Sequence, residues 1–359
     1  MKKIDRYIFK KFIGTFFFAI AMLILIVIIF DLSENLNSFL KHNAPWQRVL
    51  VDYYITSVPY YINLFIHLFA FIAVVFFTSK MASNTEIVAI LSSGISFWRF
   101  LCPYLMAAAT IAVMSLYFGN FLIPQTNEIR RQFKDEYMER LSQSHGRNVH
   151  IQIGKDEFIY VENYNITKEL GYKFSWEKYE GNELKYKLLA DIIYHDPVVP
   201  NRWKLDPYTI RHIDGDEEWI EQGRNLDTVM NLLPTDLYKM KEDFEEMNYF
   251  ELHDHIKEMK RKGTEGVKAY EVEMHQRMAA PAAIIILTLI GAALSSRKVR
   301  GGIGLHLGIG IALAFSYILF MQISKSFAIS GSLSPTLAVW IPNIIFCLIG
   351  VYLLKKAPK

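Results

Sequence analysis

The stretch Phe12-Ile13-Gly14-Thr15-Phe16-Phe17-Phe18-Ala19-Ile20-Ala21-Met22-Leu23-Ile24-Leu25-Ile26-Val27-Ile28-Ile29-Phe30 contains no charged side chain. A bilayer core asks for about 20 consecutive apolar residues in a helix, so residues 12–30 read as a membrane span. Lys2, Lys3, Arg6, Lys10 and Lys11 in front of it imitate the start of a signal peptide. The apolar run is too long for one, and Ala19-Ile20-Ala21 falls in mid-run, where cleavage is misplaced; the segment reads as an uncleaved anchor.

Working outward, five further apolar runs follow at residues 58–78, 100–123, 279–294, 303–321 and 337–354. Six spans put both termini on one side. Thirteen lysines and arginines then fall in the segments on the side of the termini, and only Lys41, Arg48 and Lys325 in the two short loops on the other. The positive-inside rule places both termini in the cytoplasm. The chain of 359 residues is 52% hydrophobic, yet its mean hydropathy is only +0.16, so apolar and polar residues are segregated. Its net charge of +3 is small and its basic residues sit beside apolar runs, which argues against nucleic acid as a partner. Cys102 and Cys347 both lie in apolar stretches, without the spacing of a disulfide framework or zinc site.

Three parts result: residues 1–123 with spans one to three, 124–263 outside the cytoplasm, and 264–359 with spans four to six. The middle part has the size of one domain. Its short β-type runs, at 149–153, 158–161, 172–179, 184–195, 203–213 and 219–222, are separated by turn signals. These are Gly154-Lys155-Asp156, Glu180-Gly181-Asn182 and Asp214-Gly215-Asp216. An antiparallel sandwich or jelly roll is the expected class. Charged residues 127–147 fit a helix prolonging the third span. Tyr249, Leu252, His253, Ile256 and Met259 fit a short amphipathic helix ending at Gly263.

No Walker A motif is present, so ATP-driven transport would need a motor in another subunit. Neither G-x-S-x-G nor H-E-x-x-H occurs, and no catalytic or metal residue is assigned. The cytoplasmic loop Lys80-Met81-Ala82-Ser83-Asn84-Thr85-Glu86-Ile87-Val88-Ala89-Ile90-Leu91-Ser92-Ser93-Gly94-Ile95-Ser96 carries more information. Ser83 or Asn84 can cap a helix over about 83–94, Glu86 suits the positive end of its dipole, and Gly94 terminates it. Such a helix can dock into an ATPase groove and convert its closure into tilting of two spans; equally, Glu86 is a solvated residue at a helix start. Gly304 and Gly308 allow another helix to approach closely, in another subunit or in the same chain. His67 and His306 lie within spans, where a proton relay competes with neutral, hydrogen-bonded histidines, and neither is assigned a role. Three rivals to a transport subunit on an external motor remain. They are a non-transporting scaffold whose outer β-domain binds a partner protein, a lipid-modifying membrane enzyme, and a proton-driven transporter.

Taken in order, Ile4-Asp5-Arg6-Tyr7-Ile8, Ser57-Val58-Pro59, the 84–96 loop with Glu86 and Gly94, Pro124, residues 278–281 and residues 295–304 resemble the YjgP/YjgQ permeases. These are LptF and LptG of the ATP-driven lipopolysaccharide exporter, and the opening Asp-Arg-Tyr-Ile is closer to LptG. The resemblance covers nearly the whole chain. It implies an inner-membrane protein whose coupling helix, with Glu86, Ile87, Ile90 and Gly94, contacts a cytoplasmic ABC ATPase dimer. ATP and Mg²⁺ belong to that dimer and no cofactor to this chain. It further implies a second permease of the same family. In that family spans one and five form lateral gates to a lipid cavity, which the resemblance places here at Phe16, Leu23, Ile26, Phe30, Gly304 and Gly308. The resemblance also implies a jelly roll that hands lipopolysaccharide to periplasmic bridge proteins. The sequence departs from the family at the outer end of span one, where Asp31 and Glu34 repel lipid phosphates; Lys41 and Arg48 are the nearby cations.

Overall fold

The computed structural model describes residues 3–138, 146–165, 168–181, 183–197, 199, 201–215, 217–237, 243–262, 266–297 and 302–356. The chain divides into two compact units, residues 1–139, 244–252 and 268–359 forming one and residues 140–243 and 253–267 the other.

The first unit contains six helices long and apolar enough to cross a membrane, each enclosing one of the expected runs. In chain order they are α1 (Lys3–Lys41), α2 (Trp46–Ser83) and, after the short helix α3 (Glu86–Ser92), α4 (Phe97–Tyr137). Beyond α5 (Tyr249–Lys262) come α6 (Val267–Ser295), α7 (Gly302–Ile329) and α8 (Pro335–Lys356). The third span continues past the apolar run to Tyr137, as its charged extension suggests, while residues 139–145 of that extension lie outside the described residues. Lys2, Asn182, Asp216 and Gly263, each named above, also lie outside them.

Lipid tails are as apolar as leucine, so these helices associate through close packing rather than hydrophobic expulsion. α1 supplies one stripe at a spacing of four, with Ile8, Phe12, Phe16, Ile20 and Ile24 all buried. The ring of Phe12 lies 5.6 Å from that of Phe77 on α2, which stacks on Tyr104 of α4 at 5.2 Å. α2 is central, packing against α1, α4 and α7. Gly310 permits the last of these contacts, since a Cβ there would stand 3.2 Å from Val75. The apolar windows of α1 and α7 are only 22% buried, against 50% for α2 and 61% for α6, so α1 and α7 are the two helices with the most uncovered apolar surface. Two widened π-helical turns, Val49–Ile55 in α2 and Phe118–Leu122 in α4, interrupt the regular winding.

The second unit carries an antiparallel sheet of β1 (Gly146–Gly154), β2 (Glu157–Asn165), β3 (Leu170–Glu180), β4 (Glu183–His195), β5 (Arg202–Asp214), β6 (Glu217–Gly223) and β7 (Leu226–Val229). Every run expected to be a strand is one. The two-residue loop Lys155-Asp156 joins β1 to β2, with Asp156 at φ 60°. Ile159, Trp176, Leu188 and Ile210 follow one another across β2 to β5 and are buried on the same face. Met230, Leu232 and Leu237 join them from the chain beyond β7, and Trp203 Nε1 donates to the Leu232 carbonyl at 2.9 Å. β1 to β6 pair in sequence order, and β7 lies beside β5. This is a meander held by short hairpins; the Greek-key crossing of a jelly roll is not confirmed among the described strands.

At the start of α5, Asn248 Oδ1 accepts from the backbone N–H of Phe250 and Glu251, while Glu251 Oε2 accepts from the N–H of Asn248. This reciprocal cap satisfies donors that the first helical turn leaves open.

Candidate functional site

α3 sits in the corner between α2 and α4. The chain leaves α2 at Ser83, and Thr85 rather than Ser83 or Asn84 occupies the capping position, at φ 60° and with no side-chain cap bond. The expected cap fails because Ser83 is still helical and bonds back to Lys80 O, while the Asn84 amide turns to Glu86 Oε1 at 3.2 Å. Glu86 does open the helix. Gly94, at φ 87°, follows its end and returns its N–H to Leu91 O at 3.0 Å, a conformation glycine adopts without steric cost. Ser96 then caps α4 by accepting from Arg99 N.

The faces of α3 differ. Ile87 is 1% exposed and belongs to the cluster that includes Ile8, Phe12, Met81 and Phe100, and Ile90 is half-buried against it. Of the residues expected to contact a motor, Ile87 therefore anchors α3 to its own bundle. The apolar groups presented outward are Val88, 56% exposed, and Trp98 at the start of α4, 67% exposed.

Glu86 faces α1. Tyr7 OH donates to Glu86 Oε2 at 2.8 Å, Lys11 Nζ donates to Tyr7 OH, and the Lys11 ammonium lies 3.6 Å from the same carboxylate oxygen. Partial burial pushes the Glu86 carboxyl up, but the hydrogen bonds from Tyr7 and Asn84 and the Lys11 charge outweigh it and hold the group below its ordinary value. Buried Asp5 accepts from Arg99 Nη2 at 2.7 Å. The motif Ile4-Asp5-Arg6-Tyr7-Ile8 thus meets the residues at both ends of the 86–99 segment.

The residues expected at the gates separate into two environments. Phe16 is wholly buried within its own bundle and Leu23 half-buried, whereas Ile26 and Phe30 are exposed, Phe30 to 72%. Gly304 and Gly308 lie on an exposed face of α7 where an added Cβ meets nothing within 4 Å, so packing inside this chain does not require their small size. His306 Nδ1 is 2.9 Å from Ser79 Oγ, a hydrogen-bonded histidine of the bundle; the His67 ring lies 5.8 Å from Tyr317.

At the far end of α1, Asp31 Oδ1 accepts from Tyr53 OH at 3.2 Å. Arg48 is engaged by Asp52 at 2.8 Å and Glu136 at 2.7 Å, which removes it as a free cation. Arg130, which the sequence reading treated only as part of a charged helix, is buried with its guanidinium 5.0 Å above the Tyr60 ring, and makes no ion pair among the described residues. Among the described residues no three His, Cys, Asp or Glu side chains group to hold a metal.

The family described as lipopolysaccharide export system permease LptF/LptG matches residues 6–356. Among curated proteins, the lipopolysaccharide export system permease protein LptG of Escherichia coli is 20% identical over 360 residues, covering 98% of this chain and 98% of that protein. The protein of the same name from Haemophilus influenzae is 20% identical over 362 residues, with the same coverage of both. Six apolar helices together with this match make the molecule a multi-pass inner-membrane protein. It is the match over nearly the whole length, rather than any single motif, that assigns it: the chain belongs to the LptF/LptG family of lipopolysaccharide export system permeases.

Proposed function

We propose that this chain is one of two permeases of an ATP-driven exporter that lifts lipopolysaccharide from the outer leaflet of the inner membrane. The family match over residues 6–356 carries the reading. Both termini face the cytoplasm, as the distribution of lysine and arginine favours. The β-unit, within residues 124–263, stands in the periplasm and passes the lipid to a bridge protein. A separate ABC ATPase dimer, binding ATP and Mg²⁺, docks on the exposed side of α3 and on Trp98, and the permease itself hydrolyses nothing. A discrete helix between two spans with an apolar outer face suits that contact. α1 and α7, the least covered helices, meet the second permease or lipid through Ile26, Phe30, Gly304 and Gly308, and Arg130 offers its charge to a lipid phosphate.

Purification in mild detergent with a photo-crosslinker at Phe30 tests this reading. Recovery of an ATPase together with a lipopolysaccharide adduct is expected. An ATPase without an adduct removes the gate assignment, and recovery of neither favours the scaffold.

A further inference from the structure

α3 is covalently continuous with α2 and α4 alone. α1 joins the chain at its opposite, outer end, through residues 42–45, so nothing covalent links the inner end of α1 to α3. The link there is polar and double. Tyr7 and Lys11 hold Glu86, the first residue of α3, and Asp5 holds Arg99, near the start of α4. Asp5 and Tyr7 are two residues apart on one turn of α1, whereas their partners lie on either side of the α3 corner. Beneath them Ile8, Phe12 and Ile87 belong to one buried apolar cluster. Apolar surfaces resist separation but have little preference for one sliding position, whereas hydrogen bonds and a close carboxylate–guanidinium pair fix direction and distance.

We infer that Asp5 and Tyr7 are positioning residues that clamp the inner end of α1 to the α3 corner, so that displacement of α3 is delivered directly to α1. Glu86 is then the receiving end of an internal linkage as well as a residue of the docking region. The inference rests on the proposal that an ATPase docks on α3. It adds that α1, one of the two least covered helices, moves with that motor through its own attachment rather than through α2.

The test uses the full chain with its ATPase and second permease in proteoliposomes. Cys102 and Cys347 are replaced by serine, and spin labels are placed at Leu40→Cys and Leu337→Cys, exposed positions on α1 and α8. In the parent protein, ATP is expected to change the distance between the labels. Tyr7→Phe and Asp5→Asn, both nearly isosteric, are expected to retain the ATPase and its hydrolysis while reducing that change. Lipid transferred per ATP should fall roughly 3- to 10-fold. Tyr7→Phe combined with Glu86→Gln should be no worse than the worse single variant, because both cut one link. A response equal to the parent's in both variants overturns the clamp alone. Loss of ATPase from Tyr7→Phe also overturns it, by placing Tyr7 in the docking surface. A parent protein that retains no ATPase instead sinks the docking proposal on which the inference rests.

Discussion

Tyr7 and Glu86, 79 positions apart in the chain, are joined by a hydrogen bond of 2.8 Å from phenol to carboxylate. The pairing ties the first turns of α1 to the first residue of α3, and the charge state of Glu86 governs it. Because the folded carboxyl titrates below its ordinary value of 4.5, its contribution is fully present above that value and lost as pH falls through the lower folded one. Protection factors of the α3 amides, with the intrinsic pH dependence of exchange divided out, should therefore be insensitive to this group between about pH 5 and 8 and fall only in more acidic solution. A transition centred above 4.5 that Glu86→Gln abolishes would contradict the assigned direction.

Adjacent residues on α3 should behave oppositely. Ile87→Ala removes a buried side chain and is expected to cost about 2–4 kcal/mol in thermal or denaturant unfolding. Val88→Ala should change stability by less than about 0.5 kcal/mol. Val88→Asp leaves the bundle intact but should release the ATPase during purification. Equal retention of ATPase by Val88→Asp and the parent would move the docking surface elsewhere.

Three glycines of α7 divide in the same way. Gly310→Val forces the new side chain into Val75 and should destabilise the isolated chain by about 1–3 kcal/mol. Gly304→Val and Gly308→Val meet open space and should leave isolated-chain stability unchanged while lowering recovery of the second permease. Pull-down with differently tagged permeases reads the second effect.

In the sheet, Trp203→Phe keeps an aromatic ring but leaves the Leu232 carbonyl without its donor. A loss of about 1–3 kcal/mol is expected, read as faster proteolysis of the β-unit. Wild-type resistance would show that the carbonyl finds another partner.

Arg130→Gln removes a buried positive charge beside Tyr60. If that charge meets phosphate, affinity for a phosphorylated lipid should fall roughly tenfold or more, while affinity for its dephosphorylated form stays level. An equal fall for both lipids would assign Arg130 to packing instead.

What the sequence shows follows from how local each feature is. The six spans and all the expected strands are legible because length in lipid and alternation in a half-buried sheet are written into consecutive residues. Phe16 could not be distinguished from Phe30, since a helix surrounded by lipid is apolar on every side and its period carries no signal. The helix around Glu86 was visible, but Thr85 as its cap was not, because Ser83 looks like a better cap until it proves to be the last residue of α2. Asp5 and Tyr7 lie in one short motif, but their partners, Arg99 and Glu86, are 94 and 79 residues away. Short hairpin turns lead each strand to the next, which is the meander order observed, whereas no local signal marks the longer crossing that a jelly roll requires.

The widened turns Val49–Ile55 and Phe118–Leu122 set the angular phase of what lies beyond them. Each residue of an α-helix advances the chain by about 100° around its axis, so adding or removing one residue there rotates the polar end of the helix relative to its apolar span. Arg48 precedes one such turn and Arg130 follows the other. The polar end of the bundle that carries Arg48 and Arg130 can therefore be turned independently of its apolar part, and homologues differing by a single-residue insertion at these turns would present a rotated set of polar groups there.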